Sequence, residues 1–403
     1  MKATPPKKVE KEKGGNSFAL YIHLPFCRRR CAYCDFVSYA GREGEISPYI
    51  EGLLREWEAI KAILLSDGPV EITSCYFGGG TPSLLNEDQV EVLVSGLFPE
   101  GVSPGMEFSL EANPESLTPS KLGFYRRLGI NRISLGVQSF SDEFLRCLGR
   151  VHTTRQAAEA IEMVRKGGWE NWSLDLMYGL PGQSPAAFER DLARVLDSGA
   201  PHFSAYCLTI APETPFGVQA AQGRLQLPPE RSILEMMDLL EKRASRAGFL
   251  HYETSNFSRP GFACVHNLAY WHLEPYIGLG LGAVSYFRDG SAPWGAHWEN
   301  PTDFEGYAKM AREDAWAFLE RTPLTREEAL TEAFLTGLRL IHGIEIGPLV
   351  ARFGGEMVQD VLRKIHPLIE GGWLEMQNGF LRTTSRGSRV LDALLLEIIS
   401  DLS

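Results

Sequence analysis

Short apolar segments alternate with amphipathic helical patterns along most of this 403-residue chain. Two parallel neighbouring strands need a crossover connection between them, and a helix is the usual one. The alternation therefore predicts an α/β fold built on a parallel sheet. The predicted strands are residues 18–25, 72–77, 107–112, 132–137, 172–177 and 201–209, and the predicted helices are residues 46–65, 88–97, 119–128, 155–166, 185–196 and 232–247.

Polar residues at the strand ends help to decide how this sheet closes. An open doubly wound sheet and a barrel share the same alternation, so periodicity does not separate them. In a barrel the carboxyl ends of all strands meet on one face, and many strands can contribute to one site. We therefore predict a barrel, with residues 277–286 as a further strand beside it. The residues at or just after the ends of the predicted strands are a cysteine loop, Gly78, Gly79, Gly80, Thr81, Glu111, Asn113, Gln138, Asp175 and Tyr206.

The C-terminal part of the chain has a different pattern, made mainly of helices. They are predicted at residues 302–319, 325–341, 347–353 and 357–369, with a closing helix at 384–400. Residues 373–383 read as a β-hairpin, because Asn378-Gly379 is a strong two-residue turn signal. Helices followed by a hairpin resemble a winged helix. No concentrated basic face accompanies them, so a structural lid or docking module is favoured over nucleic-acid binding.

Composition and charge limit the classes of function. The net charge of −11 disfavours non-specific binding to nucleic acid or to anionic membranes. The first 15 residues carry five lysines and two glutamates without an apolar segment, which suits a disordered basic tail and not a secretory signal. No apolar run approaches the length of a spanning helix, so a cytoplasmic protein is expected. The expected organisation is a tail (1–16), a core (17–295) and a helical or winged-helix-like domain (296–403).

Three of the seven cysteines, Cys27, Cys31 and Cys34, lie together directly after the first predicted strand. A structural zinc site is closed by four protein ligands, whereas three thiolates on a [4Fe–4S] cluster leave one iron open to another molecule. A disulfide or a zinc knuckle is the alternative, but an odd number of thiols suits neither. The other four cysteines are scattered beside apolar segments, which favours a reducing compartment.

The spacing Cys-x-x-x-Cys-x-x-Cys resembles the signature of radical S-adenosylmethionine (SAM) proteins. That resemblance implies a partial (βα)6 barrel, a [4Fe–4S] cluster on Cys27, Cys31 and Cys34, and SAM bound to the open iron. The glycine segment before Thr81 resembles the one that contacts the amino group of SAM in this superfamily. A tight turn without a ligand is the alternative for that segment.

The order of further polar residues resembles the oxygen-independent coproporphyrinogen III oxidases and their HemW-type haem chaperone relatives. The resemblance covers nearly the whole chain after the tail. It implies that Tyr33 contacts a second SAM. It also implies SAM contacts for Tyr21, Gly79, Gly80, Thr81, Glu111, Gln138, Arg150 and Asp175. Individually, each polar residue among them could instead be a satisfied core or surface group.

Two features separate the branches of this family. The oxidases have a fourth cysteine at the position of Phe36 and a longer segment before the cluster loop, and this chain has neither. The pattern formed by His266, Asn267, Tyr270 and Trp271 resembles the haem-binding motif of the chaperone branch. An imidazole is a common axial ligand of haem iron, and Cys264 offers a thiolate as an alternative. Ordinary hydrogen bonding and aromatic core packing are the competing interpretation of this motif.

The resemblance therefore implies a radical SAM haem chaperone that delivers haem to acceptor proteins such as respiratory enzymes. The alternative function is an oxygen-independent coproporphyrinogen III oxidase. The expected cofactors are the cluster, SAM and haem, while the catalytic residues are left unassigned. An electron donor, a homodimer and membrane contact through the acceptors are further expectations, and no nucleic-acid partner is expected.

Overall fold

The computed structural model describes residues 16–64, 70–313, 315–318 and 320–402. Nearly all of the predicted basic tail lies outside these residues. None of the described helices combines the length and apolarity that a membrane crossing requires.

The first half of the chain forms the predicted βα units, and all six predicted strands and six predicted helices are confirmed. A two-stranded ribbon around the cysteine loop and two short helices are additional. The strands are β1 (Asn16–Leu24), β2 (Phe26–Cys27), β3 (Tyr39–Ala40), β4 (Val70–Gly79), β5 (Glu107–Ala112), β6 (Arg132–Gln138), β7 (Asn171–Tyr178) and β8 (His202–Cys207). The helices are α1 (Ile46–Leu64), α2 (Glu87–Leu97), α3 (Pro119–Arg127), α4 (Asp142–Leu148), α5 (Thr154–Lys166), α6 (Pro185–Leu196), α7 (Pro215–Ala221) and α8 (Glu230–Arg246).

The following segment extends the sheet at both edges. Residues 277–286 were predicted as one strand, but Gly280 and Gly282 have positive φ angles and turn the chain, so this prediction is wrong in its bounds. Two strands form instead, at Tyr276–Leu279 and Val284–Phe287. The elements are β9 (Leu250–Glu253), β10 (Asn256–Ser258), α9 (Val265–Trp271), β11 (Tyr276–Leu279), β12 (Val284–Phe287), β13 (Ala296–Glu299), α10 (Phe304–Glu313) and β14 (Thr322–Pro323).

The order of the strands identifies a barrel-like sheet. Strands β1, β4, β5, β6, β7 and β8 are parallel neighbours in chain order, and β11 joins the free side of β1 in parallel. In a doubly wound sheet the strand order reverses partway along the chain. When each strand instead follows on the same side of the previous one, right-handed crossovers place every helix on the same face of the sheet. The sheet has two edges, with β14 on one side and β9 on the other. The predicted partial barrel is therefore confirmed.

Side chains on the parallel strands alternate between the two faces of the sheet, apart from register shifts near Ala19 and between Gly136 and Gln138. The face toward the helices carries apolar residues such as Leu20, Phe77 and Leu110, which belong to the main core. The inner face is polar, whereas the interior of an ordinary (βα)8 barrel is filled with branched apolar side chains. A polar interior suits a polar ligand. The inner-face residues include Tyr21, Ser74, Tyr76, Glu107, Ser109, Glu111, Arg132, Ser134, Ser173, Asp175, His202 and Ser204.

The C-terminal region has the element order of a winged helix, as predicted, and its apolar cluster also includes Leu273 and Tyr286 from the preceding segment. The predicted helix at 357–369 is wrong because Pro367 lacks a backbone N–H and interrupts it, so two helices form. The predicted hairpin is confirmed, and Asn378 and Gly379 both have positive φ angles. The elements are α11 (Arg326–Gly337), β15 (Ile344–Glu345), α12 (Ile346–Phe353), α13 (Gly355–Lys364), α14 (His366–Glu370), β16 (Leu374–Gln377), β17 (Phe380–Thr383) and α15 (Leu391–Leu402).

The predicted domain division between residues 295 and 296 stays a prediction, and the packing favours a later one. Tyr307 and Trp316 belong to the same apolar core as the barrel strands. A buried carboxylate, Glu56 on α1, also joins this region to the barrel. It accepts hydrogen bonds from the backbone N–H of Gly280 (2.9 Å), the amide of Asn300 (2.5 Å) and the hydroxyl of Tyr307 (2.6 Å).

We predict that Glu56 makes the stability of the fold depend on pH. Burial raises the pKa of its carboxyl from 4.5 to about 7. Between these values only the folded state keeps the proton, so stability falls as the pH rises through this window. Between about pH 5 and pH 7 the wild type should lose unfolding free energy, and Glu56→Gln should lose about 2 kcal/mol less over the same interval. Urea unfolding at a series of pH values measures this difference.

Glu58→Gln is the matched control, because Glu58 lies on the same helix, is exposed and pairs with Lys61. This variant should keep the wild-type dependence on pH. An equal dependence in Glu56→Gln and in the wild type would contradict the prediction.

Candidate functional site

The three predicted cluster ligands lie on one closed loop at the carboxyl end of β1. Cys27 ends the short strand β2, and the pairing of β2 with β3 brings the two ends of the loop together. Cys31 and Cys34 lie within the loop, where the N–H of Cys34 donates to the carbonyl of Cys31 at 3.4 Å. The loop therefore stands at the end of the barrel where the polar inner face of the sheet opens.

Backbone contacts hold the cysteine loop against the rest of this end of the barrel. The N–H of Ala32 donates to the carbonyl of Leu148, and the carbonyl of Ala32 accepts from the N–H of Phe216, both at 2.9 Å. Gly149 has a φ of +77°, and a Cβ there would lie 3.3 Å from the nitrogen of Ala32. Glycine thus permits both the left-handed backbone and the close approach of the loop.

Polar groups from neighbouring loops reach two of the three sulfur atoms. The Thr81 hydroxyl donates to Cys27 Sγ at 3.6 Å, and Arg150 Nη1 donates to Cys31 Sγ at 3.7 Å. Burial raises the pKa of the Cys27 thiol to about 11 and also raises that of Cys34. Bound iron would offset this rise in the thiol pKa values, because a thiol that coordinates a metal is deprotonated.

The donor set is compatible with an iron–sulfur cluster, because soft thiolates are the usual ligands of one. All three cysteines are free thiols and partly buried. In the part of the chain that the structure describes, no three His, Cys, Asp or Glu side chains converge closely enough to hold one ion. Three soft thiolates on different irons of one cluster do not need such convergence.

Arg150 links the cysteine loop to the inner face of the barrel. Besides Cys31, its guanidinium donates to the side-chain oxygen of Asn113 and, at 2.8 Å, to the carbonyl of Gly136. Tyr33 lies beside Arg150 and packs with the small apolar cluster around Leu148. Burial raises the pKa of the Tyr33 hydroxyl. The structure thus brings Arg150 and Tyr33 to the cysteine loop.

The glycine segment packs directly under the chain that carries Cys27. A Cβ on Gly80 would lie 2.7 Å from the carbonyl oxygen of Phe26, and one on Gly79 would lie 2.5 Å from the ring of His23. The N–H of Gly80 donates to the carbonyl of Leu24 at 2.9 Å. Close backbone approach therefore explains these glycines without a ligand. The role in SAM binding stays a prediction.

Two carboxylates lie within the polar interior, Glu111 on β5 and Asp175 on β7. Glu111 accepts hydrogen bonds from the Tyr76 hydroxyl at 3.0 Å and from the N–H of Gly79 at 3.2 Å. The Ser134 hydroxyl donates to Asp175 at 3.2 Å. Burial, aided by the charge of Asp175, raises the pKa of the Glu111 carboxyl to about 7, and burial also raises that of Asp175. A bound cation would relieve the cost of these two neighbouring buried charges.

Gln138 ends β6 in a strained conformation. Its φ is +65°, and the N–H of Ser139 donates to the carbonyl of Val137 at 2.8 Å across it, which is the pattern of a γ-turn. The pairing with β7 shifts its register between Gly136 and Gln138. Strain of this kind concentrates at functional sites. In this conformation the Gln138 side chain lies next to Gly136, where an added Cβ would be 3.3 Å from Gln138 Nε2.

His266 of the predicted haem motif is buried inside the amino half of the barrel. Ser74 Oγ contacts its Nδ1 and the Tyr270 hydroxyl contacts its Nε2, both at 2.9 Å. Its ring stacks on Tyr76 with 5.1 Å between ring centroids. Burial lowers the pKa of His266 to about 3. The motif therefore adjoins the predicted SAM site through Tyr76, and both ring nitrogens already have partners.

The rest of the haem motif lies on or beside the same short helix, α9. Cys264 is buried and donates to Glu107 Oε1 at 3.3 Å. Asn267 and Trp271 are partly buried, and the Arg339 guanidinium lies over the Trp271 ring, 5.5 Å from its centroid. These contacts match the competing interpretation of ordinary hydrogen bonding and core packing. The assignment of these residues to haem stays a prediction.

Sequence reasoning missed several residues of this interior. Tyr76, Ser134 and His23 were not singled out, although each lies beside a predicted site residue. His23 contacts the Tyr21 hydroxyl at 3.0 Å and the carbonyl of Val37 at 2.7 Å. The alternation of polar and apolar residues along the strands would have identified all three, since it marks the inner face.

We predict that Glu111 makes SAM binding depend on pH. SAM carries a positive sulfonium and a positive ammonium group, and the Glu111 carboxyl is an anion only above its pKa of about 7. Affinity for SAM should therefore fall as the pH drops below 7. Glu111→Gln should weaken binding about 10-fold or more above that pH and remove much of the dependence. Equilibrium dialysis measures both effects.

Glu115→Gln is the matched control, because Glu115 follows the same strand and is also poorly exposed, but pairs with His152. It should bind SAM with the wild-type dependence on pH. The prediction is wrong if Glu111→Gln also behaves like the wild type.

Comparisons with known proteins agree with this architecture. Residues 21–195 match the Radical SAM superfamily, and residues 324–390 match the HemN C-terminal domain. The solved structure of coproporphyrinogen III oxidase (HemN) from Escherichia coli has a TM-score of 0.80, with 22% sequence identity, and covers 96% of this chain and 90% of that one. That likeness demonstrates a shared fold.

Curated relatives are similar over most of their length. The protein named "Heme chaperone HemW" from Bacillus subtilis (strain 168) is 33% identical over 91% of this chain and 95% of its own. The protein of the same name from Escherichia coli (strain K12) is 33% identical over 94% of this chain and 97% of its own. The one from Synechocystis sp. (strain ATCC 27184 / PCC 6803 / Kazusa) is 37% identical over 81% of this chain and 79% of its own. The chain therefore belongs to the HemW family of the radical SAM superfamily.

Proposed function

We propose that this protein is a haem chaperone, which binds haem and transfers it to acceptor proteins. The observation that carries the proposal is the full-length similarity to relatives named haem chaperones, together with the His266 motif. The presence of Phe36 where the oxidases have a fourth cysteine supports a function other than porphyrinogen oxidation. The structural similarity to the oxidase concerns the fold and is not an argument for the same activity.

The proposed resident cofactors are a [4Fe–4S] cluster and SAM. Cys27, Cys31 and Cys34 would hold the cluster, with Thr81 and Arg150 donating to two of the sulfur atoms. Such a cluster supplies one-electron chemistry to SAM bound at its open iron. The carboxylates of Glu111 and Asp175 would attract the cationic ligand, and Arg150 would keep the loop aligned with the interior.

For haem, we propose the segment that contains His266, Asn267, Tyr270 and Trp271. The hydroxyl of Tyr270 occupies Nε2 of His266, so the iron can replace it only when this hydrogen bond opens. The helix α9 is short, and Asn267, Tyr270 and Trp271 on it are only partly buried, whereas His266 is fully buried. The proposed partners are haem, haem-accepting proteins and an electron donor.

The cluster assignment predicts the result of removing one thiol. Anaerobic reconstitution of Cys31→Ala should give markedly less iron and sulfide per chain and a weaker iron–sulfur absorbance, because a cluster with two protein thiolates is poorly held. Cys147→Ala is the matched control, because Cys147 is an exposed cysteine on α4. It should bind the wild-type amount of iron. A complete cluster in Cys31→Ala would refute the role of the trio.

The haem assignment is tested by comparing two histidines in similar surroundings. His202 is also buried, with Ser173 Oγ 2.7 Å from its Nδ1 and the Tyr252 hydroxyl 2.8 Å from its Nε2. If His266 ligates the iron, His266→Ala should weaken haem binding about 10-fold or more and change the Soret band, whereas His202→Ala should not. Absorbance titration with haem measures both.

Equal loss in both variants would show that the effect is structural, and unchanged haem binding in His266→Ala would remove the residue from the site. An assay of coproporphyrinogen with the reconstituted wild type separates the two functions. Efficient formation of protoporphyrinogen would contradict the chaperone proposal.

A further inference from the structure

Two exposed histidines lie next to each other where the C-terminal region meets the barrel. His272 directly follows the last residue of α9, and His342 lies in the loop between α11 and β15. Their ring centroids are 6.2 Å apart, and both residues are exposed. We name these two residues the seam histidines. Neither of them belongs to the motif that contains His266.

Backbone hydrogen bonds fix the positions of both seam histidines. The N–H of His272 donates to the carbonyl of Leu268 at 2.9 Å and closes the last turn of α9. The N–H of Ile341 donates to the carbonyl of Tyr252 at 3.1 Å, which attaches the loop that carries His342 to β9. The packing of the C-terminal region on the barrel therefore sets the distance between the two imidazoles.

Aromatic side chains and an arginine lie beside the seam histidines. Trp271 is partly buried, and the Arg339 guanidinium lies 5.5 Å from the centroid of its ring. The ring of Phe380 meets the ring of His342 edge-on, with 6.0 Å between the centroids. Arg339 also pairs with Asp392 at 3.4 Å, but an ion pair as exposed as this one contributes little stability. Aromatic rings suit the apolar part of a porphyrin, and a guanidinium suits its carboxylates.

The separation of the seam histidines matches that of two imidazoles on one iron. Imidazoles that ligate a metal from opposite sides have centroids about 6 Å apart, because each metal–nitrogen bond is about 2 Å long and each nitrogen lies about 1 Å from its ring centroid. His266, by contrast, is buried and has a hydrogen-bond partner at each ring nitrogen. A protein that passes haem to an acceptor needs ligands that the acceptor can reach, and the exposed pair meets this requirement.

We propose that His272 and His342 ligate the iron of haem from opposite sides, at the seam between the barrel and the C-terminal region. This inference rests on the haem binding of the proposed function, and it names the iron ligands for the state in which His266 stays buried. Trp271 and Phe380 pack against the porphyrin, and Arg339 binds a propionate. Two coordinate bonds to the iron form, and nothing is oxidised or reduced.

Ferric haem is the probe for the test. Absorbance titration measures its affinity, and electron paramagnetic resonance measures the spin state of the iron. The wild type should give the low-spin signal of iron with two imidazole ligands. His272→Ala and His342→Ala should each give high-spin iron and bind haem about 10-fold or more weakly, because one of two axial ligands is lost. Added imidazole should restore the low-spin signal in both, which requires an intact fold and haem site.

His366→Ala is the matched control, because His366 is an exposed histidine on α14 of the same C-terminal region and pairs with Glu370 at 3.7 Å. This variant should bind haem with the wild-type affinity and spin state. His266→Ala should keep the low-spin signal. Metal-free protoporphyrin should bind all variants with similar affinity, because it offers no iron to the imidazoles.

Wild-type affinity and spin state in both His272→Ala and His342→Ala would overturn the proposal, as would an equal loss in His366→Ala. A low-spin signal that disappears only in His266→Ala would also overturn it and return the iron to the buried motif. If the two seam variants lose binding of Ni²⁺ but keep haem affinity, the pair binds a free divalent ion and the proposal is wrong. Failure of the proposed function is recognised separately, because the wild type would then bind no haem.

Discussion

The polar inner face of the barrel is the constraint on which the rest of this structure depends. Burying carboxylates such as Glu111 and Asp175 carries a large desolvation cost unless hydrogen bonds or a cation offset it. Hydroxyl groups on neighbouring strands offset part of that cost, because Tyr76 donates to Glu111 and Ser134 donates to Asp175. The outer face of the same strands is apolar and packs against the helices, so one alternating pattern stabilises the fold and forms the site.

The cysteine loop depends on contacts that come from distant parts of the chain. Gly80 and Gly149 are small enough for the loop and its approach strand to lie directly against neighbouring backbone. Arg150 then joins the loop to Asn113 and Gly136 in the interior. Rigid support of this kind limits the geometries open to a bound ligand, which is what positioning a reactive cofactor requires.

The barrel interior contains two similar serine–histidine–tyrosine arrangements, one at His266 and one at His202. Both satisfy a buried imidazole by hydrogen bonds at each ring nitrogen. They differ in their neighbours, because only His266 stacks on Tyr76, which donates to Glu111. This contact joins the predicted haem motif to the predicted SAM site.

The sequence by itself determined the strands and helices of the barrel, the cysteine trio and the Asn378-Gly379 hairpin, because these depend on local periodicity, spacing and turn geometry. It also placed the polar residues at strand ends. Tertiary structure alone decided which of them meet, because the strand order and register set which side chains become neighbours. The hydrogen bonds at both nitrogens of His266, the packing of Tyr307 and Trp316 with the barrel and the backbone contacts of Gly80 all depend on segments far apart in the chain. Local sequence patterns do not contain that information.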